Sequence, residues 1–424
     1  MRPGTLTRPN RWRVRSRRSE SSDARVMRGV AALLGMLASG ALAHAGPGPD
    51  PHSYADPSQF VVRHASLDLE ADFDARRLHG TVELRVERVA KEATLLRLDT
   101  RGLEIQGVEL GNAEGSWTPL AHQSGAADQI LGQPLDIRMP AGREAAPMQT
   151  VRVRYSTRPE AAALQWLAPE QTAGRVRPFL YTQSQPIDAR SWIPIQDSPG
   201  IRFTYDARIR TPAGLRALMS AARDTERSRD GEYFFVMPQA IPAYLVALAV
   251  GDLEFRPLGP RTGVYAEPAM LASASREFGD VEQMLAVAER LFGPYRWDRY
   301  DLLIMPPSFP FGGMENPRLS FITPTVIAGD RSLVSMITHE MAHSWSGNLV
   351  TNTGWNDFWL NEGITTYLER RILEGVYGAR LADMERLLGL QYLDEEIATL
   401  TESGRRADTG DGPHFADRPQ LLRC

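Results

Sequence analysis

Through much of the first half of the chain, apolar and polar residues alternate with a period of two. Val82, Leu84 and Val86 alternate with Glu83, Arg85 and Glu87, and Ile201, Phe203, Tyr205 and Ile209 alternate with Arg202, Thr204 and Arg208; Val151, Val153 and Tyr155 repeat the pattern. Successive side chains of a strand point to opposite faces, so this is the period of half-buried antiparallel strands. Gly and Pro punctuate the intervals, and His52 to Phe255 reads as one large β-domain of short strands without internal repeats or low-complexity segments.

After Gly259-Pro260 the period lengthens. Met284, Leu285, Val287, Ala288, Leu291 and Phe292 share one helical face that Gly293-Pro294 closes, and Asp301-Leu302-Leu303-Ile304-Met305 reads as a buried strand. Leu333, Met336, Ile337, Met341 and Ala342 predict a second helix. Leu360, Ile364, Tyr367, Leu368 and Ile372 predict a third, ended by Gly375 and Gly378. The expected fold class is α+β multidomain: an N-terminal antiparallel β-domain at 46–256, then an α+β domain at 257–400.

Both ends depart from these patterns. Met1 to Arg28 carries nine arginines against Glu20 and Asp23, and an uncharged run from Gly29 to Ala43 leads to Ala43-His44-Ala45. This is the pattern of a signal peptide cut after Ala45, which implies a secreted or periplasmic protein. Removing 1–45 takes away +7 and leaves the mature part at −4 − 7 = −11. So acidic a surface argues against a nucleic-acid partner, and the uncharged run is too short for a membrane span. Residues 401–424 lose helical periodicity and end in Cys424, the chain's only cysteine, so disulfides within the chain and thiolate metal sites are excluded.

Candidate chemistry lies on the second and third helices. His339 and His343, four residues apart, lie on one helical face and can reach one ion, while Glu362, nineteen positions further, can return on the next helix as a third ligand. Two neutral imidazoles and one carboxylate leave one zinc ion with net positive charge and an open position, and water there acquires a pKa of about 7. Glu340, rotated off the ligand face, is the candidate base. Glu369, seven residues after Glu362, is a candidate acceptor for a ligand His N–H, or else a solvated helix glutamate. Upstream, Phe311-Gly312-Gly313-Met314-Glu315-Asn316-Pro317 combines glycines that permit close approach or positive φ with a carboxylate able to capture a cation.

Together, Gly313-Met314-Glu315-Asn316, His339-Glu340-x-x-His343 and Trp359-Leu360-Asn361-Glu362-Gly363 resemble the GxMEN/HExxH zinc aminopeptidases (gluzincins), in their leukotriene A(4) hydrolase/aminopeptidase-like branch. Pro306 to Phe311, His343 to Asn348, Gln183-Ser184-Gln185 and Asp188-Ala189-Arg190 extend the resemblance, which covers about His52 to Leu400. It implies a thermolysin-like catalytic domain and hydrolysis of the N-terminal bond of peptides with a free N-terminus. It further implies that Glu315 binds the α-amine, that the backbone of Gly312, Gly313 and Met314 holds the peptide, and that Gln185 and Gln183 line the first subsite. Phe311 stands where the branch often has tyrosine.

The family also carries an oxyanion-stabilising tyrosine some sixty or more residues past the acidic ligand, followed by a helical C-terminal domain. Only 424 − 362 = 62 residues follow Glu362, and Tyr367, Tyr377 and Tyr392 come too early. The expectation is therefore a truncated chain with a frameshifted or naturally disordered tail, which binds zinc and turns over slowly or not at all. Two other readings stay open: a noncatalytic peptide-binding protein, and a lipid epoxide hydrolase.

Overall fold

The computed structural model describes residues 50–402 apart from 113 and 142–146, with side chains through 399. The expected signal peptide lies outside the described residues, as does the expected aberrant tail from 403 onward; residues 401 and 402 still belong to a helix.

The N-terminal half is built from three sheets. Its largest has eight strands in the order Ala222–Arg223, Glu232–Pro242, Arg202–Arg210, Phe60–Asp72, Arg77–Arg88, Met148–Ser156, Glu104–Gly111 and Trp117–Pro119. Arg202–Arg210 alternates strictly between half-buried and buried positions, and Leu67, Leu84, Val86, Val153 and Tyr205 point into the core. A four-stranded and a three-stranded sheet complete this part. The sequence expectation needs correction in two respects. Phe60–Asp72 pairs in parallel with Arg202–Arg210, and a period of two is the same for either direction. The strands are also not all short: Phe60–Asp72 has 13 residues and Arg77–Arg88 has 12. Gly80, which resembles a break, lies inside a strand at φ 151°, where a Cβ would fall 1.9 Å from the Asp68 carbonyl oxygen. Only glycine allows the two strands to approach that closely.

The second half begins with a five-stranded sheet, ordered Glu254–Pro257, Thr262–Ala266, Tyr300–Ile304, Leu319–Ile322, Gly313–Met314. The three central strands run parallel, and Gly313–Met314 lies antiparallel on the edge. Among the described residues five α-helices follow the sheet or interrupt it: α1 (Pro268–Glu277), α2 (Val281–Phe292), α3 (Ser335–Ala342), α4 (Phe358–Tyr377) and α5 (Ala379–Glu402). α3 packs on the edge strand and on α4, so one strand and two helices converge. Two indoles hold the turn after α3, Trp297 Nε1 donating to Ser344 O at 3.0 Å and Trp345 Nε1 to Gly293 O at 3.1 Å.

α4 corrects the expected face. Leu360, Ile364 and Tyr367 are exposed, while Asn361, Thr365, Glu369, Ile372 and Leu373 are buried. Gly375 does not end the helix but lies within it, close against Val287; Gly378, at φ 89°, ends it. Among the described residues no helix is long and apolar enough to cross a membrane.

Candidate metal centre

His339 lies in the last turn of α3 and His343 immediately caps it in helical conformation, so the 3.6-residue repeat stacks the two rings. Their Nε2 atoms are 3.1 Å apart. Glu362, in the first turns of α4, brings Oε2 to 3.3 Å from His339 Nε2 and 3.7 Å from His343 Nε2. Nitrogen and oxygen ligands arranged tetrahedrally about zinc are roughly 3.3–3.5 Å from one another, so these three atoms fit one ion.

The far nitrogens fix the rings. His339 Nδ1 donates to Glu369 Oε2 at 3.1 Å, and His343 Nδ1 donates to Ser346 O at 3.1 Å with Thr365 Oγ1 at 3.2 Å. Oxygen acceptors at Nδ1 select the tautomer whose Nε2 lone pair faces the shared space. Glu369 is buried and also accepts from Arg370 Nη1 at 2.5 Å, so its alternative reading as a solvated glutamate is set aside.

Opposite the histidines stand two more buried carboxylates, Glu315 and Glu340, whose oxygens and one His343 nitrogen lie within 4.8 Å of one another. Glu315 follows the edge strand; Gln185 Nε2 donates to its Oε1 at 3.1 Å, and Asn348 Nδ2 donates to its main-chain oxygen at 2.7 Å. Gln183 Nε2 lies 3.3 Å from Met314 Sδ, and Phe311 packs edge-on against Phe309. Glu340 Oε2 is buried with no partner among the described residues. The glycines act through space rather than through positive φ. A Cβ on Gly313 would fall 2.2 Å from Glu340 Oε1, and one on Gly312 would fall 2.4 Å from Met336 Cε. The edge strand thus lies directly against α3.

The electrostatics follow from three largely buried carboxylates sharing this space with two imidazoles. Burial, reinforced by Glu362, pushes Glu315 up to about 8, and burial pushes Glu340 well above the usual carboxylate range. His343 is pulled down to about 4, mainly by burial. Burial also disfavours charge on His339, but its bonds to Glu362 and Glu369 outweigh that and raise it. A divalent cation among these groups would relieve both the repulsion and the unpartnered oxygen.

Every candidate residue from the sequence lies in this neighbourhood. Reasoning on the sequence did not single out Asn348, Ser346, Thr365 or the buried Tyr244, whose hydroxyl accepts from Asn361 Nδ2 at 3.4 Å. Thr365 had a signal, since positions 362, 365 and 369 share a helical face. Asn348 and Tyr244 reach the site from a loop and a 3₁₀ turn, with no periodicity to mark them.

Comparison with known proteins gives family matches in both halves of the chain. Residues 51–245 match the family described as Peptidase M1 N-terminal domain, and residues 277–404 match Peptidase family M1 domain. The chain is 44% identical over 355 residues to leukotriene A-4 hydrolase of Xenopus laevis, covering 82% of this chain and 58% of that protein. It is 43% identical over 368 residues to human aminopeptidase B, covering 84% and 56%. Among solved structures, yeast LTA4 hydrolase in complex with bestatin aligns at TM-score 0.77 and 36% identity, over 84% of this chain and 55% of that one. An M1 zinc metallopeptidase from Deinococcus radiodurans shares the fold at TM-score 0.62 and 24% identity, over 77% of this chain and 73% of that one. The chain thus spans a little over half the length of the curated relatives it matches.

Proposed function

The chain belongs to peptidase family M1, alongside leukotriene A-4 hydrolase and aminopeptidase B, and on that premise we propose that it is a zinc-dependent aminopeptidase. The observation that carries this reading is the convergence of the His339, His343 and Glu362 ligand atoms opposite buried Glu315 and Glu340. Zinc held by those three residues would supply Lewis acidity, acidifying water and polarising the scissile carbonyl.

The remaining steps belong to the chain's own side chains. Glu340 takes the proton of the attacking water and passes it to the leaving amine, a role that suits a buried carboxylate with a free oxygen. Glu315, steadied by Gln185, binds the substrate's α-ammonium, which limits cleavage to the first peptide bond. The ammonium supplies the charge that ionised Glu315 lacks when alone. The strand Gly313–Met314 is an edge, so its backbone can pair with an extended peptide, while Gln183, Gln185 and Phe311 line the first subsite.

Tyr367 and Tyr392 are exposed, and Tyr377 donates to Asp280 at 3.1 Å, which supports a reading in which none of the three takes the oxyanion role. Lack of one such donor costs about 10²- to 10³-fold in turnover. The 424-residue polypeptide assayed by itself is therefore expected to bind zinc and hydrolyse aminoacyl-anilides slowly. The test measures bound zinc and anilide cleavage for the unaltered chain and for Glu340→Gln, which should keep the metal and lose any turnover. Zinc binding with turnover indifferent to Glu340→Gln would support a noncatalytic peptide-binding protein instead. Export with cleavage after Ala45 is part of the proposal, supported by the arginine-rich segment and the uncharged run that follows it. N-terminal sequencing of protein recovered outside the cytoplasm should begin at Gly46.

A further inference from the structure

Arg202 opens the strand Arg202–Arg210 of the large sheet, and its alternation with apolar neighbours marks it as an ordinary outward-facing residue. Its surroundings are different. The guanidinium is half-buried, and its hydrogen bonds go to neutral oxygens on two separate parts of the fold. On its own side, Nε and Nη2 donate to Ala240 O at 3.2 and 2.7 Å. Across the gap, Nη2 donates to Asn348 O at 2.7 Å and Nη1 donates to the Thr351 hydroxyl. Asn348 and Thr351 belong to the loop after His343. In that loop Asn348 N donates to His343 O at 3.0 Å and the Thr351 hydroxyl donates to Gly347 O at 2.5 Å. The amide of Asn348, which is 1% exposed, then donates to the Glu315 main-chain oxygen at 2.7 Å.

We infer that Arg202, through Asn348, is a positioning residue that sets the height of Glu315 relative to the metal ligands. A rigid sheet in the N-terminal half thereby fixes the distance between the amine-binding carboxylate and the reacting carbonyl. The geometry supports this because one short loop bonds to both His343 and Glu315, so a shift in it moves one relative to the other. Arg202 links that loop to the sheet. An arginine suits the task because its planar fork reaches three acceptors at once, which an ammonium does not do in the same geometry.

This inference rests on the proposed aminopeptidase reading, and its test separates the two. The probes are leucine hydroxamate and its analogue lacking only the α-amine, which share the zinc-chelating group and the isobutyl side chain. Binding of each is measured on the zinc-loaded full chain. The unaltered chain should prefer leucine hydroxamate, and Glu315→Gln should abolish the preference; a preference indifferent to Glu315→Gln, or no preference in the unaltered chain, would sink the aminopeptidase reading and this inference with it. With that control in place, Arg202→Met should lower leucine hydroxamate affinity about tenfold, a loss suited to one or two hydrogen bonds, and leave the affinity of the amine-free analogue and the zinc content unchanged. Arg202→Lys should recover part of the loss. Asn348→Asp, which turns the donor facing Glu315 into an acceptor, should reproduce it. If Arg202→Met and Asn348→Asp weaken both hydroxamates equally, Arg202 has a general structural role, and if they weaken neither it has no role at the site; in either case the inference is wrong.

Discussion

His339 needs two oxygens to be useful: one near the metal position and one behind the ring. The second comes from Glu369, and Glu369→Ala is expected to keep the fold but weaken zinc about 10- to 100-fold, read by chelator competition, because the ring loses its tautomer and orientation. Gly313 is as sharply specified. Gly313→Ala would place a methyl 2.2 Å from Glu340 Oε1, so the carboxylate must move. Since displacing a catalytic group by about 1 Å costs on the order of 10²-fold, turnover should fall by that amount while zinc content stays the same. At this scale the sequence was most legible. The i, i+4 histidines and the downstream glutamate follow helix geometry, whereas Asn348 and Tyr244 arrive through loop conformations that no local pattern encodes.

α4 shows where hydrophobic periodicity misleads. Its apolar residues Leu360, Ile364 and Tyr367 predict a buried stripe, yet the buried face carries Asn361, Thr365 and Glu369. The metal site draws polar residues inward, and their burial is sustained by hydrogen bonds to His339, to Ser346 and to Tyr244. Ile364→Lys should therefore change stability by no more than about 0.5 kcal/mol, whereas Ile372→Ala should cost about 2–4 kcal/mol; denaturant unfolding distinguishes the two. The exposed side continues along α5, where Met384, Leu387, Leu390 and Leu393 are about half exposed. So many exposed apolar side chains on one helix should make the protein self-associate, and light scattering should show less association for Leu387→Glu with Leu393→Glu.

At the scale of the molecule, Arg190 joins distant segments of the N-terminal half. Fully buried, it donates to Asp197 at 3.0 Å, to Leu131 O at 3.0 Å and to His52 O at 2.7 Å, and lies 3.9 Å from Asp99. Two buried carboxylates share this one guanidinium. Arg190→Met leaves both uncompensated and is expected to destabilise the fold by about 3–5 kcal/mol. Burial, reinforced by Asp99 and opposed by Arg190, pushes Asp197 up to about 6. An acid that holds its proton to higher pH when folded gives stability that is complete below its unfolded pKa, near 3.8, and is lost as pH rises through 6. The contribution is at most about 3 kcal/mol, and Asp197→Asn should flatten the fall in unfolding midpoint between pH 4 and 7.

By itself, the sequence determined the order of β-rich and α+β halves, the helices carrying His339, His343 and Glu362, and the chemistry those residue types support, since each depends on local period and spacing. The tertiary structure decided which strand pairs in parallel, which face of α4 is buried, and how Gln185, Asn348 and Arg202 reach Glu315. Those contacts link residues 130, 33 and 146 positions apart in the pairs Gln185–Glu315, Asn348–Glu315 and Arg202–Asn348. A local pattern records only what a residue's near neighbours require, and packing alone brings such distant groups within hydrogen-bond reach.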